Sequence, residues 1–283
     1  MIAVAGDDAV SFLQNQLTND FALLGMDQAR LAAFCTAKGR MLASFIGVKR
    51  APDEVLLVMS GDILAPTLKR LSMFVLRAKA KLRDASDEFA LHGAIGSGDG
   101  EPWGLKRDGD SFAVTLYPAD GVRRSLIIAP ADAPLPSAAA LDEATWDWSE
   151  VRSGIATITA PIVEAFVPQM LNYESIGGVN FKKGCYPGQE VVARSQFRGT
   201  LKRRGYLAHS DGELGAGMEL FHESDASQPC GIVAQAARSP QGGWDAIVSA
   251  QVASVDDGRI NAASADGPVV SLSPPPYPLL ADI

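Results

Sequence analysis

The sequence predicts an α+β protein that becomes wholly β toward its C-terminal end. Three observations carry that reading. An amphipathic helix near the N-terminus is followed at once by a hairpin pattern, strand-length apolar runs then alternate with helical stretches, and beyond Thr200 only short strands punctuated by glycine remain.

The elements follow in order. With Asp7 as N-cap, Ala9, Val10, Leu13 and Leu17 recur at helical spacing, and this helix ends by Asn19 and Asp20. Residues 29–36 and 41–48 read as strands around the turn Lys38-Gly39-Arg40. A strand over 54–60 leads to a helix over 62–75, which tolerates Pro66 because the missing N–H falls in its first turn. Residues 77–83 and 89–95 read as strands, and 96–100 form a glycine-rich loop without the Lys-Ser/Thr ending of a phosphate cradle. Residues 112–117 and 123–129 complete a strand–helix–strand segment of ferredoxin-like character. A Pro- and Ala-rich linker over 129–140 precedes a helix over 141–153, whose Trp146 and Trp148 suit packing more than ligand stacking. The chain is irregular through Pro161 and Pro168, and the short strands after Thr200 suggest a small antiparallel barrel.

With 283 residues, 47% hydrophobic and 20% charged, the chain is long enough for two or three ordinary globular domains. Apolar runs such as Val55-Leu56-Leu57-Val58-Met59 are strand-length, far short of a membrane span, and the N-terminus lacks a secretory or transit pattern, so a cytoplasmic protein with no membrane partner is expected. A net charge of −8 argues against direct nucleic-acid binding through the whole surface. Cys35, Cys185 and Cys230 are odd in number and lack a C-x-x-C pair, which indicates neither a disulfide framework nor a self-contained metal site.

One stretch carries more chemistry than the rest: Lys182-Lys183-Gly184-Cys185-Tyr186-Pro187-Gly188-Gln189-Glu190-Val191-Val192-Ala193-Arg194. Pro187 suits the first position of a helix, which would set Cys185 at the positive end of a helix dipole. That field, with Lys182 and Lys183 nearby, favours a thiolate, although most single cysteines serve only as small hydrophobes. No histidine in a recognisable motif stands ready as its base, so a hydrolytic nucleophile is not indicated. What remains is a sulfur suited to mixed disulfides or transient ligation. From Lys182 to Arg204 seven cations face the single acid Glu190, which makes either a solvated face or an anion-binding rim.

This signature, preceded by Gly177-Gly178-Val179-Asn180-Phe181, closely resembles that of the YgfZ family, folate-binding proteins related to the aminomethyltransferase (T-protein) of the glycine cleavage system. Phe12 to Asp20, Cys35-Thr36-Ala37-Lys38-Gly39-Arg40-Met41 and Arg152-Ser153-Gly154-Ile155 resemble further segments of that family in the same order. The resemblance implies a three-domain T-protein-like architecture around a central hole. Residues 1–45 with 141–199 would form a discontinuous folate-binding domain, 46–140 a ferredoxin-like domain, and 200–283 the barrel.

The resemblance further implies tetrahydrofolate or a derivative as cofactor. Related aminomethyltransferases supply a carboxylate to the pterin from a Pro-x-Glu-x-Gly-like segment, here Asn172-Tyr173-Glu174-Ser175, which makes Glu174 the expected pterin partner. Tyr173 is expected to stack on the ring, Arg152 or Arg198 to meet the glutamate tail, and Asn19 and Asp20 to shape the cavity. Cys185, supported by Lys183, would serve assembly or repair of iron–sulfur enzymes, including tRNA-modifying ones, with those clients or assembly proteins as partners of a monomer. Two other readings stay open: a folate-dependent one-carbon transferase, and a redox sensor in which Cys185 is oxidised and folate is irrelevant.

Overall fold

The computed structural model describes residues 1–134, 139–197, 201–255 and 258–280. The first part of the chain runs β1 (Ile2–Ala5), α1 (Ala9–Gln16), β2 (Ala29–Cys35), β3 (Met41–Ala51), β4 (Glu54–Val58), α2 (Leu64–Ser72) and β5 (Lys81–Asp84). Its strands form an antiparallel sheet in the order β2-β3-β4-β1-β5. The apolar stripe of α1 is buried as its spacing requires: Leu13 and Leu17 pack with Phe34, Phe45 and Leu57 in the largest core. Residues 45 and 46, where the sequence suggests a domain boundary, are successive residues of β3; Phe45 pairs with Ala32 and Ile46 with Leu31, so the strand runs through that point.

The next sheet contains β6 (Phe89–Ile95), β7 (Leu105–Asp108), β8 (Ser111–Ala119) and β9 (Val122–Pro130), antiparallel in the order β6-β9-β8-β7. The helix expected over 62–75 is α2, and the strands expected over 112–117 and 123–129 are β8 and β9, which follow each other directly. Asp120 and Gly121, with φ of 47° and 78°, close a two-residue hairpin between β8 and β9, the turn whose twist matches paired strands.

Helix α3 (Glu143–Arg152) follows, and its Trp148 indole donates to Asp245 at 2.6 Å. The irregular return then pairs with the start of β3, Met41 N–H donating to Phe166 O and Glu164 N–H to Met41 O, both at 2.8 Å. It ends in α4 (Gln189–Phe197).

The last part closes a barrel in the order β10-β13-β12-β11-β14-β15, from β10 (Arg203–Ser210), β11 (Glu219–His222), β12 (Asp225–Arg238), β13 (Trp244–Gln251), β14 (Ile260–Ala262) and β15 (Val269–Ser273). Leu220, Val233, Val248 and Ile260 fill it. Closure leaves no free sheet edge. Among the described residues no helix is long and apolar enough to cross a membrane.

Candidate functional site: an exposed thiol turn and an aromatic cavity

The signature forms a turn fixed from beneath. Tyr186 O accepts from Gln189 N–H at 3.2 Å and Gly188 has φ +82°, so Pro187 and Gly188 occupy the centre of a type II turn. Helix α4 therefore begins at Gln189, two residues later than Pro187 suggests, with the turn between it and Cys185. A side chain at 188 would lie 2.8 Å from Gly39 Cα and closer still to the Thr36 carbonyl, so only glycine lets this turn rest on the β2–β3 hairpin.

Lys183 is buried beside the exposed Cys185. Its ammonium donates to Leu17 O at 2.6 Å and to Gln14 O, carbonyls at the C-terminal end of α1 where a cation is favoured. The ammonium also lies 4.9 Å from the Tyr186 ring centre. Burial lowers its pKa to about 8, with Asp20 and Cys185 opposing that shift. Lys183 thus anchors the turn to α1, and Cys185 is left facing solvent.

A second feature lies between the two sheets: a cavity of about 200 Å³ walled by Phe45, Trp103, Tyr117, Trp146 and Tyr173 and closed by α3. Trp103 holds a left-handed φ of 69° and donates its indole N–H to Ile176 O at 2.9 Å. Trp146 fits because Gly93 opposite it has no side chain. Arg124 and Glu150 supply the charge. The Arg124 guanidinium is 1% exposed, pairs with Glu150, donates to Ser149 O at 2.9 Å, and lies 4.7 Å from the Trp146 ring centre. Burial lowers its pKa to about 10, which leaves it charged at neutral pH.

Of the residues expected at a ligand, Tyr173 lines this cavity, its hydroxyl donating to Ala156 O at 2.6 Å. Glu174 does not line it. Asn172 takes a left-handed φ of 57° and bonds both backbone groups of Gly205, so the following residues alternate: Tyr173 enters the cavity and Glu174 turns to β10. There its carboxylate accepts from Arg204, and from Ser175 Oγ at 2.9 Å. Burial is the main influence on Glu174 and raises its pKa, with Arg204 opposing.

Arg152 also points elsewhere, its guanidinium gripping Asp120 at 2.7 and 3.0 Å. Asn19 donates to Leu31 O at 2.7 Å and Gly177 O at 2.6 Å, and Asp20 accepts from Leu23 N–H at 3.1 Å. Asn19 thus ties the end of α1 to the loop carrying Tyr173, while Asp20 closes the local turn that follows α1. Arg198 lies outside the described residues.

Cys185 and Lys183 do not line the aromatic cavity, so thiol and cavity are separate features linked through α1. Sequence reasoning missed Arg124 and Glu150. The available signal was strand alternation, which places Arg124 on the inward face of β9 with Leu126 and Ile128.

Two antiparallel sheets, a closed barrel and a cavity between the sheets define an aminomethyltransferase T-protein-like fold. The glycine cleavage system aminomethyltransferase T from Bartonella henselae matches it with a TM-score of 0.69 over 98% of this chain and 83% of that one, at 17% identity. The chain belongs to the YgfZ family. It is 32% identical to the tRNA-modifying protein YgfZ of Edwardsiella ictaluri over 98% of its own length and 89% of that protein's. It is also 30% identical to the tRNA-modifying protein YgfZ of Aliivibrio fischeri over 73% of this chain and 67% of that one. An uncharacterized protein of Haemophilus influenzae is 29% identical over 80% of this chain and 77% of the other. No protein-family model matches the chain.

Proposed function

We propose that this protein is a tetrahydrofolate-binding accessory factor of the cytoplasm that supports assembly or repair of iron–sulfur enzymes, tRNA-modifying ones among them, through Cys185. The observation that carries the reading is the presentation of Cys185: an exposed thiol on a turn held in place by the buried ammonium of Lys183. A thiol so placed meets a macromolecular partner directly. As thiolate it can attack a partner disulfide, forming a mixed disulfide and releasing the second sulfur as thiolate, or it can donate to a partner's metal.

The aromatic cavity fits a folate. Its flat apolar walls suit a pterin, and Glu150, one oxygen of which engages Arg124, is a carboxylate for the amino-pyrimidinone edge. Its volume, about 200 Å³, is below the roughly 300–1,000 Å³ that enclose a drug-sized ligand, so a glutamate tail would extend outside. Bound tetrahydrofolate would supply a carrier for one-carbon groups. Trp103 and Trp146 would orient it, and Tyr173, held by Ala156 O, would keep that wall dry.

The test is the activity of a labile [4Fe–4S] enzyme in cells lacking this protein under oxidative stress. Rescue by the normal chain and failure of Cys185→Ala at equal abundance is the expected result. Equal rescue by both removes the thiol from the function, and rescue by neither refutes the accessory role.

A further inference from the structure

On the face formed by α2, the chain leaves apolar surface bare. Met73 and Leu76, just beyond that helix, are 69% and 90% exposed. Leu76 also has φ of 33°, a conformation that bulky L-residues rarely adopt. Beside this turn runs a groove of about 500 Å³ floored by Phe34, Leu42 and Ile63. One wall is the last turn of α2 with Met73 and Phe74; the other carries Val163 and Glu164, where Glu164 again has a positive φ, of 62°. One wall of this exposed apolar groove thus carries a residue of positive φ, and a second such residue, Leu76, lies next to the groove outside its lining.

Charge decides what fits. Lys69 and Arg70 line the α2 rim, are exposed, and have no acidic partner among the described residues. In a chain of net charge −8 this makes the α2 side a local cationic rim beside an apolar floor, with the exposed acid Glu164 on the opposite wall. Strand addition is not available at this place, because Ala33 on the outer edge of β2 already exchanges bonds with Thr18. The walls are side chains and a helix, the setting in which an amphipathic helix lays its apolar face into a groove. Met, Phe and Arg are also the residue types enriched where proteins meet.

We propose that this groove docks an amphipathic helical segment of a protein partner, its apolar side chains on Phe34, Leu42 and Met73 and its acidic flank on Lys69 and Arg70. This surface stands apart from the thiol and the cavity, and the proposal does not rest on the folate or iron–sulfur reading. Phe34 and Leu42 flank the hairpin turn on which Gly188 rests, so a docked partner would share that hairpin with the signature turn.

The experiment uses the full chain and two fluorescein-labelled helical peptides with the same leucine face, one flanked by glutamates and one by lysines. Fluorescence anisotropy is expected to give at least about tenfold tighter binding of the acidic peptide, weakening with salt. Met73→Glu is expected to weaken binding about tenfold, and the double variant Lys69→Glu/Arg70→Glu to reverse the peptide preference. All three positions are exposed, and a circular dichroism melt checks that each variant is folded. Equal binding of the two peptides, or binding unchanged by the folded variants, overturns the proposal. Concentration-dependent dimerisation in sedimentation equilibrium, abolished by Met73→Glu, would also overturn it and make the groove an interface between copies of the chain.

Discussion

The ammonium of Lys183 is held at 2.6 Å by the carbonyl of Leu17, so the residue two places before Cys185 is tied to the end of the first helix. Lys183→Met keeps the apolar stem and removes the donor, leaving the Leu17 and Gln14 carbonyls unsatisfied. A loss of about 1–3 kcal/mol is expected in urea unfolding at neutral pH. The pH dependence has a definite sign. The folded-state pKa of Lys183 lies at about 8, below the ordinary lysine value of roughly 10.4. Between those values the unfolded chain binds more protons at this residue, so the normal chain gains stability relative to Lys183→Met as pH rises through that window. Unfolding curves of the two chains at several pH values read the difference, and a gap that narrows with pH contradicts the assignment.

Gly188 and Gly184 sit on either side of Cys185 and predict opposite outcomes. Gly188→Ala meets a positive φ and the hairpin backbone, and should cost more than about 1 kcal/mol while displacing the turn. Gly184 has open space around it and no positive φ, so Gly184→Ala should leave stability within about 0.5 kcal/mol. Thermal melts and the rate of Cys185 alkylation in each variant compare the two.

Why some of this was legible in the sequence and some was not is clear from single residues. The apolar spacing of α1 and the hairpin beside it follow from local periodicity, which burial enforces. Pro187-Gly188 is a type II turn signal, and it outweighs the proline's suitability for a helix start because Gly188 must pack on Gly39. Asp120-Gly121 is likewise a hairpin signal, and it joins the two strands that the pattern on either side predicts. The partners of Glu174 and Arg152 could not be read this way. Arg204 lies 30 residues from Glu174, and Asp120 lies 32 from Arg152; only tertiary structure brings those charges together.

Glu174 and Arg204 form a buried pair whose halves depend on each other. Arg204→Met leaves a carboxylate enclosed without its counter-charge and is expected to destabilise by about 3–5 kcal/mol. Adding Glu174→Gln to that variant should recover part of the loss, since a neutral amide is less costly to bury. A double-mutant cycle by chemical denaturation measures the coupling, and additive effects would mean the two side chains act independently.

Thiol and cavity should separate under mutation, because they share a scaffold and no contact with a common space. Tetrahydrofolate binding, measured anaerobically by calorimetry, is expected to weaken at least about tenfold in Glu150→Gln, a loss near 1.4 kcal/mol, since the edge-on carboxylate bonds are charge-assisted. Part of that variant's effect is structural: Arg124 is 1% exposed and would lose its counter-ion, so its melting temperature must be compared in parallel. Tyr117→Phe offers a control that keeps the aromatic wall and its 5.8 Å contact with Trp103, and should bind normally. Cys185→Ala should bind folate as the normal chain does, because Cys185 does not line the cavity. If Cys185→Ala lost folate binding while remaining folded, the turn and the cavity would be a single site, and the link through Lys183 and α1 would be the path joining them.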